Sequence, residues 1–249
     1  MLRQAAIAIG ERRKPEPEGQ PGYVRVDTVH QGDLDGVKGV YTINAVDEMT
    51  QWQAIGCTSQ IGETWLLPVL EEMLAQFPFR LRGFHSDNGS EFVNHMVSRL
   101  LNKLLIEQTK SPPRHSGDNG LVETKNDAVI RKHMRYGHIA STHAAAINRF
   151  YREQLNPYVN LHRRCAQPET TVDGKGRCQR QYRRWQTPLE TLITLADPES
   201  CLRLGISLAG LQQTASAPTE RYRGSTTDAG DQAETVCRIP ANGLKKRWK

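Results

Sequence analysis

The first quarter of the chain alternates apolar and polar positions. In the segment YVRVDTVH, residues 23–30, Val24 and Val26 alternate with polar side chains, and a period of two is that of a β-strand. Residues 39–46 and 53–57 form two further apolar runs. Because short, turn-rich segments separate the three runs, we expect an antiparallel meander of three strands.

From residue 62 onward the apolar period lengthens to that of a helix. Apolar side chains at residues 62–76 recur at intervals of three and four, which predicts an amphipathic helix that Pro78 ends. The pattern then predicts a strand at 80–85, a helix at 92–105, a fifth strand at 106–110 and a helix at 121–133. This order predicts a mixed five-stranded α/β sheet flanked by helices on both faces.

Beyond about residue 140 the pattern weakens. Residues 140–154 favour one more helix, whereas the polar segments 165–185 and 212–236 are interpreted as loops. We therefore divide the chain into an N-terminal arm or linker at 1–22 and a core at 23–155. Residues 156–249 form a small, irregular, basic C-terminal region, for which a small DNA-binding domain is one interpretation.

The positive charge of the chain is concentrated in its C-terminal part. The net charge is +6, but residues 1–150 hold 17 basic and 17 acidic side chains, against 16 and 10 in residues 151–249. A basic surface of this kind fits nucleic acid, and a merely solubilising surface is an equal alternative. The segment RQYRRWQ, residues 180–186, suits phosphate contacts combined with stacking, although a solvated helix or loop is an equal alternative.

Composition points to the cytoplasm. Mean hydropathy is −0.60 and no stretch approaches the roughly 18 apolar residues of a membrane span. The first ten residues lack the layout of a signal peptide. Five cysteines include no C-x-x-C pair, so neither a disulfide framework nor a zinc ribbon is indicated. We expect a cytoplasmic protein with no membrane partner.

Three carboxylates stand where strands and helices are predicted to meet. Asp27 lies in an apolar strand, where a charge is costly unless it is paired or exposed on the polar face. Asp87 follows the fourth strand within DNG, a common turn sequence, at a carboxyl end where α/β sheets place their sites. Glu123 is near the start of a helix, where an acid is favourable in any case. If the first and fourth strands are neighbours, Asp27 and Asp87 face each other and the helix brings in Glu123.

These motifs resemble a known superfamily. VDTVH around Asp27, HSDNGSEF around Asp87 and SPPRHSGDNGLVETKN around Glu123, with 35 residues between the last two acids, resemble the catalytic core of retroviral integrases and bacterial insertion-sequence transposases. The resemblance covers about residues 23–138. It implies a ribonuclease-H-like fold in which Asp27, Asp87 and Glu123 are catalytic and bind two Mg²⁺ ions, for which Mn²⁺ can substitute. Asp27 would bridge both ions, and the other two acids would hold one each.

The resemblance also implies an activity and partners. A DDE-type polynucleotidyl transferase of this kind cleaves DNA strands and transfers the 3′-hydroxyl to a target strand, in DNA recombination and transposition. An inactive DNA-binding remnant and a ribonuclease-H-like nuclease are the alternatives. The expected partners are the element ends, target DNA and further copies of the chain, at the bacterial nucleoid. Only about 22 residues precede the first strand, so a helix-turn-helix module is expected on a separate subunit or in a missing N-terminal domain.

Several polar residues near Glu123 are candidates for DNA contact. Arg114 and His115 lie in the loop before it. The helix after it carries the other four candidates, Lys125, Asn126, Arg131 and Lys132. Asn126 is three residues beyond Glu123 and is therefore expected beside the site. An ordinary charged helix face is the alternative for this set.

Overall fold

The computed structural model describes residues 9–87, 91–111, 119–172, 174 and 178–217 of the 249-residue chain. Ten strands form one six-stranded sheet and two two-stranded ribbons. In chain order they are β1 (Glu11–Arg12), β2 (Tyr23–His30), β3 (Asp33–Leu34), β4 (Val37–Lys38), β5 (Tyr41–Asp47), β6 (Gln53–Thr58), β7 (Gly83–Ser86), β8 (Glu107–Lys110), β9 (Cys165–Val172) and β10 (Cys178–Gln186).

The α-helices of the described residues lie between and after these strands. They are α1 (Glu63–Leu74), α2 (His95–Lys103), α3 (Gly120–Lys125), α4 (Lys132–Met134), α5 (Ala144–Phe150), α6 (Asn156–Leu161), α7 (Pro188–Ile193), α8 (Pro198–Cys201) and α9 (Leu208–Ser216). Two π-helical segments, Asn126–Arg131 and Tyr151–Leu155, join α3 to α4 and α5 to α6, and a 3₁₀ turn, Ser141–His143, precedes α5.

The main sheet has the ribonuclease-H-like arrangement. Its strand order is β1-β8-β7-β2-β5-β6. Strands β2, β5 and β6 are antiparallel, whereas β7 and β8 run parallel to β2 on its other side. The five predicted strands and the mixed sheet are therefore confirmed. The sheet has one further strand, β1, whose backbone pairs with the edge of β8. This strand was not predicted because two residues are too few to show an apolar period.

Helices cover both faces of the sheet. On one face, Val24 and Val26 belong to an apolar cluster with side chains of α1, α2 and α7. On the other face, Val29 packs with side chains from the helical segments between residues 129 and 159. Helix α1 approaches β6 so closely that a Cβ atom on Gly56 would lie 2.5 Å from Sδ of Met73. Burial on both faces explains why almost every residue of β5 and β6 is buried.

The outer edge of β6 is covered by asparagine side chains. The Asn156 amide accepts from Ile55 N at 3.1 Å and donates to Ile55 O at 3.0 Å. Asn160 makes the same pair of bonds with Gln53 at 2.8 and 2.7 Å, and Asn148 accepts from Cys57 N at 3.1 Å. Unpaired strand edges invite pairing with other chains and leave backbone groups unsatisfied. Here side-chain amides replace a seventh strand.

Residues 165–172 and 178–186 are paired antiparallel strands, so the prediction of a loop at 165–185 was wrong. Strands β9 and β10 pair from Cys178 opposite Val172 to Gln186 opposite Cys165. The hairpin carries polar side chains at successive positions, so it shows no apolar alternation from which strands could be predicted. Residues 212–216 of the second predicted loop, 212–236, belong to α9, and residues 218–236 lie outside the described residues. In the described part of the chain, no helix is long and apolar enough to cross a bilayer.

Replacing Asn156 with alanine tests the covered edge. We expect Asn156→Ala to lower the free energy of unfolding by about 2–4 kcal/mol, because a buried N–H and a buried carbonyl lose their partners. Urea unfolding followed by circular dichroism measures the change. Asn102→Ala on the exposed surface of α2 is the control and is expected to stay within about 0.5 kcal/mol. Equal stability of the two variants would show that the edge does not depend on the amides.

Candidate active site

Asp27 and Asp87 stand at the same level of two neighbouring parallel strands. The register between β2 and β7 pairs Val26 with Ser86, so Asp27 and Asp87 are the next residues along the two strands. Neighbouring strands lie about 4.8 Å apart. The prediction that the first and fourth long strands are adjacent is confirmed, and the two acids are brought together where β7 ends.

The environment of Asp27 opposes its ionisation. Partial burial is the main cause that raises the pKa of the Asp27 carboxyl, and the nearby negative charge of Asp87 raises it further. Two donors act in the opposite direction: Thr28 N donates to Oδ1 at 2.8 Å and Asn126 Nδ2 donates to Oδ2 at 2.7 Å. The sum is a raised pKa, so the carboxylate has a deficit of positive charge around it.

Helix α3 is attached to β2 on both sides of Glu123. Asn119 Nδ2 donates to Val26 O at 3.2 Å, one residue before Asp27, and Asn126 donates to Asp27 itself. Glu123 lies one helical turn before Asn126 and is exposed, and residues three apart on a helix have neighbouring side chains. Among the residues that the structure describes, no three acid, histidine or cysteine side chains are grouped closely enough to hold a metal ion.

A chain of buried amides continues from Asp27 to the edge strand. Asn126 Oδ1 accepts from Asn44 Nδ2 at 2.8 Å, and Asn44 Oδ1 accepts from Gln53 Nε2 at 2.8 Å. Each amide uses its oxygen to accept and its nitrogen to donate, so the direction of the chain obliges Asn126 to present NH₂ to Asp27. Asn44 and Gln53 were not predicted as residues of the site. The available signal was an amide side chain in each of two largely apolar segments.

The helix that carries Glu123 changes its pitch at Asn126. Residues Asn126–Arg131 are π-helical, between α3 and α4. π-helical turns are rare and occur frequently at functional sites. The predicted helix at 121–133 is therefore present, but an ideal 100° rotation per residue does not describe which side chains beyond Asn126 share a face.

The remaining candidates for DNA contact have different surroundings. Lys125 is 8% exposed, and burial lowers the pKa of its ammonium group. Arg131 donates to Gln31 Oε1 at 3.1 Å and lies over the Tyr136 ring. Lys132 is exposed. Arg114 and His115 lie outside the described residues.

His85, a neighbour of Asp87 in the sequence, is part of the sheet. Its Nδ1 lies 2.9 Å from Thr109 Oγ1 and its Nε2 lies 3.3 Å from Ser111 Oγ. The ring is 1% exposed. These contacts satisfy both ring nitrogens of His85 within the sheet.

The residues at this end of the sheet fit a divalent cation. Asp27 and Asp87 offer hard carboxylate oxygens, which Mg²⁺ prefers. Their mutual repulsion and the raised pKa of Asp27 are the electrostatic conditions that a bound cation would relieve. Glu123 is exposed on the helix that Asn126 ties to Asp27.

Two curated proteins match the sequence over long segments, whereas no family model matches it. A protein of uncharacterized function from Sinorhizobium fredii is 30% identical over 186 residues, which cover 74% of this chain and 52% of that protein. One from Caenorhabditis elegans is 22% identical over 239 residues, 94% of this chain and 17% of that protein. The chain thus spans about half of the first relative and a smaller share of the second.

Solved structures with a similar fold include viral integrases. The simian T-cell lymphotropic virus intasome, in complex with the PP2A regulatory subunit B56 gamma, matches with 16% identity and a TM-score of 0.45, over 74% of each chain. The HTLV-2 integrase catalytic core domain in complex with magnesium has 13% identity and a TM-score of 0.43, over 58% of this chain and 90% of that one. The BIV integrase catalytic core domain has 14% identity and a TM-score of 0.39, over 53% of this chain and 84% of that one.

Removing the charge of Asp87 tests the juxtaposition of the two acids. Because a negative neighbour disfavours ionisation, we expect Asp87→Asn to lower the pKa of Asp27 in the metal-free protein. In the wild-type protein that pKa should lie above the ordinary aspartate range near 4. Carboxyl ¹³C chemical shifts recorded during a pH titration report it directly. Asp35→Asn, in an exposed turn, is the control, and an Asp27 pKa that responds equally to both substitutions would contradict the arrangement.

Proposed function

We propose that the chain is the catalytic core of a DNA transposase or integrase, which cuts DNA strands and joins a 3′-hydroxyl to a target strand. The observation that carries the proposal is the position of Asp27 and Asp87 directly after the paired residues Val26 and Ser86 of adjacent parallel strands, with the Glu123 helix hydrogen-bonded to the Asp27 carboxylate through Asn126. The 35-residue interval between Asp87 and Glu123 supports it.

Asp27, Asp87 and Glu123 would hold two Mg²⁺ ions. When bound, such a pair activates an attacking oxygen and stabilises the leaving oxygen in an in-line displacement at phosphorus. Water as the nucleophile frees a 3′-hydroxyl at the element end, and that hydroxyl then attacks a phosphodiester of the target. The same carboxylates can serve both steps because both are displacements of one oxygen by another.

The surrounding residues keep the carboxylates in place. Thr28 N and Asn126 Nδ2 each donate to a different oxygen of Asp27, which defines the orientation of its carboxyl plane. Asn44 and Gln53 hold Asn126 in the amide orientation that donates. Partners that orient a metal-binding carboxylate typically contribute 10–100-fold to metal affinity or activity.

DNA is the proposed substrate and partner, with several copies of the chain acting together on two element ends at the bacterial nucleoid. Exposed Lys132 at the end of the π-helical segment is a proposed phosphate contact, and Arg114 and His115 remain proposed on their sequence position. Arg131, which donates to Gln31, and Lys125, which is buried, would act by supporting the helix. Asn126 would act by orienting the carboxylate of Asp27.

Neutralising each acid tests the proposed activity. We expect Asp27→Asn, Asp87→Asn and Glu123→Gln each to reduce Mg²⁺-dependent cleavage and joining to background, because each removes a carboxylate ligand. A branched oligonucleotide that represents the joined product is a suitable substrate, since reversal of joining requires no knowledge of the end sequences. Asp35→Asn is the control and should retain activity.

The products separate the proposal from its alternatives. Exchange of strands in the branched substrate, dependent on all three acids, supports a transposase or integrase. Hydrolysis without any joining would instead indicate a ribonuclease-H-like nuclease. DNA binding with neither product, in Mg²⁺ and in Mn²⁺, would indicate an inactive remnant.

Breaking the amide chain away from the metal ligands tests its positioning role. We expect Asn44→Ala to raise the half-saturating Mg²⁺ concentration, or to lower the turnover rate, by about 10-fold, because Asn126 is then free to rotate away from Asp27. A magnesium titration of cleavage measures both quantities. Asn148→Ala, which removes an amide from the sheet edge and leaves the chain intact, is the matched control. Identical magnesium dependence of the two variants would contradict the role.

A further inference from the structure

We propose that the β9–β10 hairpin is an arm that binds unpaired DNA beside the active site. This inference deepens the proposed function and rests on it in taking DNA as the substrate. It is carried by three properties of the hairpin: its charge, its exposed aromatic side chains, and the place at which it is attached to the rest of the fold.

The hairpin and its leading residues hold most of the excess positive charge of the chain. Residues 162–186 contain seven basic and two acidic side chains, within a protein of net charge +6. The acidic Glu169 lies 3.4 Å from Arg184, and Arg164 lies 3.0 Å from Glu190. Arg183 is exposed and has no acidic partner among the described residues. A segment with this excess of positive charge attracts a polyanion.

Two large aromatic side chains of the hairpin are exposed to solvent. Tyr182 is 56% exposed and Trp185 is 62% exposed. Trp185 pairs with Ala166, and a β-bulge between Gln181 and Arg184 leaves Tyr182 and Arg183 opposite the single residue Pro168. Since Ala166 and Pro168 share a face of their strand, the bulge and Trp185 are placed on the same side of the hairpin. Bulges commonly redirect side chains next to functional sites.

The base of the hairpin is attached next to the proposed active site. Arg163, two residues before β9, donates to Ala128 O at 2.9 Å, in the π-helical segment that follows the Glu123 helix. Gln51 Nε2 donates to Ala166 O at 2.9 Å and to Gln167 Oε1 at 3.0 Å. These contacts secure the end of the hairpin that contains Trp185. A strand bound to the arm would therefore lie close to the Glu123 helix.

Unpaired DNA fits this combination better than a duplex does. Phosphates of either form satisfy the arginines, but an aromatic ring stacks only on a base whose face is accessible. Strand cleavage and joining create and use free strand ends, so the proposed reaction supplies such bases. An acidic peptide would match the charge and is one of the outcomes that the test separates.

The experiment compares binding of labelled single-stranded oligodeoxythymidine and of a duplex of equal length by the full chain, using fluorescence anisotropy in EDTA. Trp185→Ala and Tyr182→Ala should each weaken single-strand binding by about 5-fold or more and leave duplex binding nearly unchanged. Trp185→Phe should restore binding. Trp65→Ala, which removes a 51% exposed tryptophan from α1, is the matched control. Arg183→Gln should weaken binding to both forms and reduce the single-strand salt slope by about 0.7.

Several outcomes would overturn the inference. Equal effects of Trp185→Ala and Trp65→Ala, equal losses for single strand and duplex, or no restoration by phenylalanine would each exclude stacking by the arm. Tighter binding of a poly-glutamate peptide than of the oligonucleotide would point to a protein partner instead. Because the assay contains no metal, Asp27→Asn should bind like the wild-type protein. Failure of the arm therefore leaves acid-dependent cleavage untouched, and absence of cleavage leaves the stacking result interpretable.

Discussion

The structure depends on two acids that lie at the same level of neighbouring parallel strands. Asp27 and Asp87 follow the paired residues Val26 and Ser86. Partial burial is the main cause that disfavours the charge of Asp27, and the nearby charge of Asp87 adds to it. Such a pair opposes folding unless donors or a cation compensate it. Backbone and side-chain donors compensate Asp27 in part, and a bound cation would compensate both acids. Functional sites commonly lower the stability of the protein that carries them.

The compensating donors are themselves held by the sheet. Asn126 is oriented by Asn44, and Asn44 by Gln53, whose backbone is bound by Asn160. The amides that close the sheet edge and the amides that orient Asp27 therefore meet at one residue of β6. This continuity joins the stability of the fold to the geometry of the site. A movement of the edge strand would change the orientation of the Asp27 carboxylate, because directional hydrogen bonds connect the two. Networks of this kind are effective only when every member is satisfied.

The basic part of the chain is built differently from the core. The hairpin is exposed on much of its surface, whereas β5 and β6 are buried. A two-stranded ribbon is marginally stable alone, so its attachment through Arg163, Gln51 and α7 matters for its position. In the proposed function, the strands of the core position the carboxylates, and the charged hairpin binds the polyanionic substrate near them.

Sequence alone determined the local elements and the candidate acids. The change of apolar period from two to 3.6 identified five strands and the main helices, and short turns gave the antiparallel meander. Polar residues in apolar strands marked Asp27, and the carboxyl end of a strand marked Asp87. These features are local, because each depends on neighbours within a few residues.

Tertiary structure decided the contacts between distant segments. Asn44 and Asn126 are 82 positions apart, and nothing in either segment specifies the other as its partner. The hairpin lacked an apolar period because neither face forms a core, and β1 is recruited only by the free edge of β8. The pitch change at Asn126 likewise accompanies its bond to Asp27. Directional hydrogen bonds between separate elements require the packed sheet, and a one-dimensional pattern does not contain that geometry.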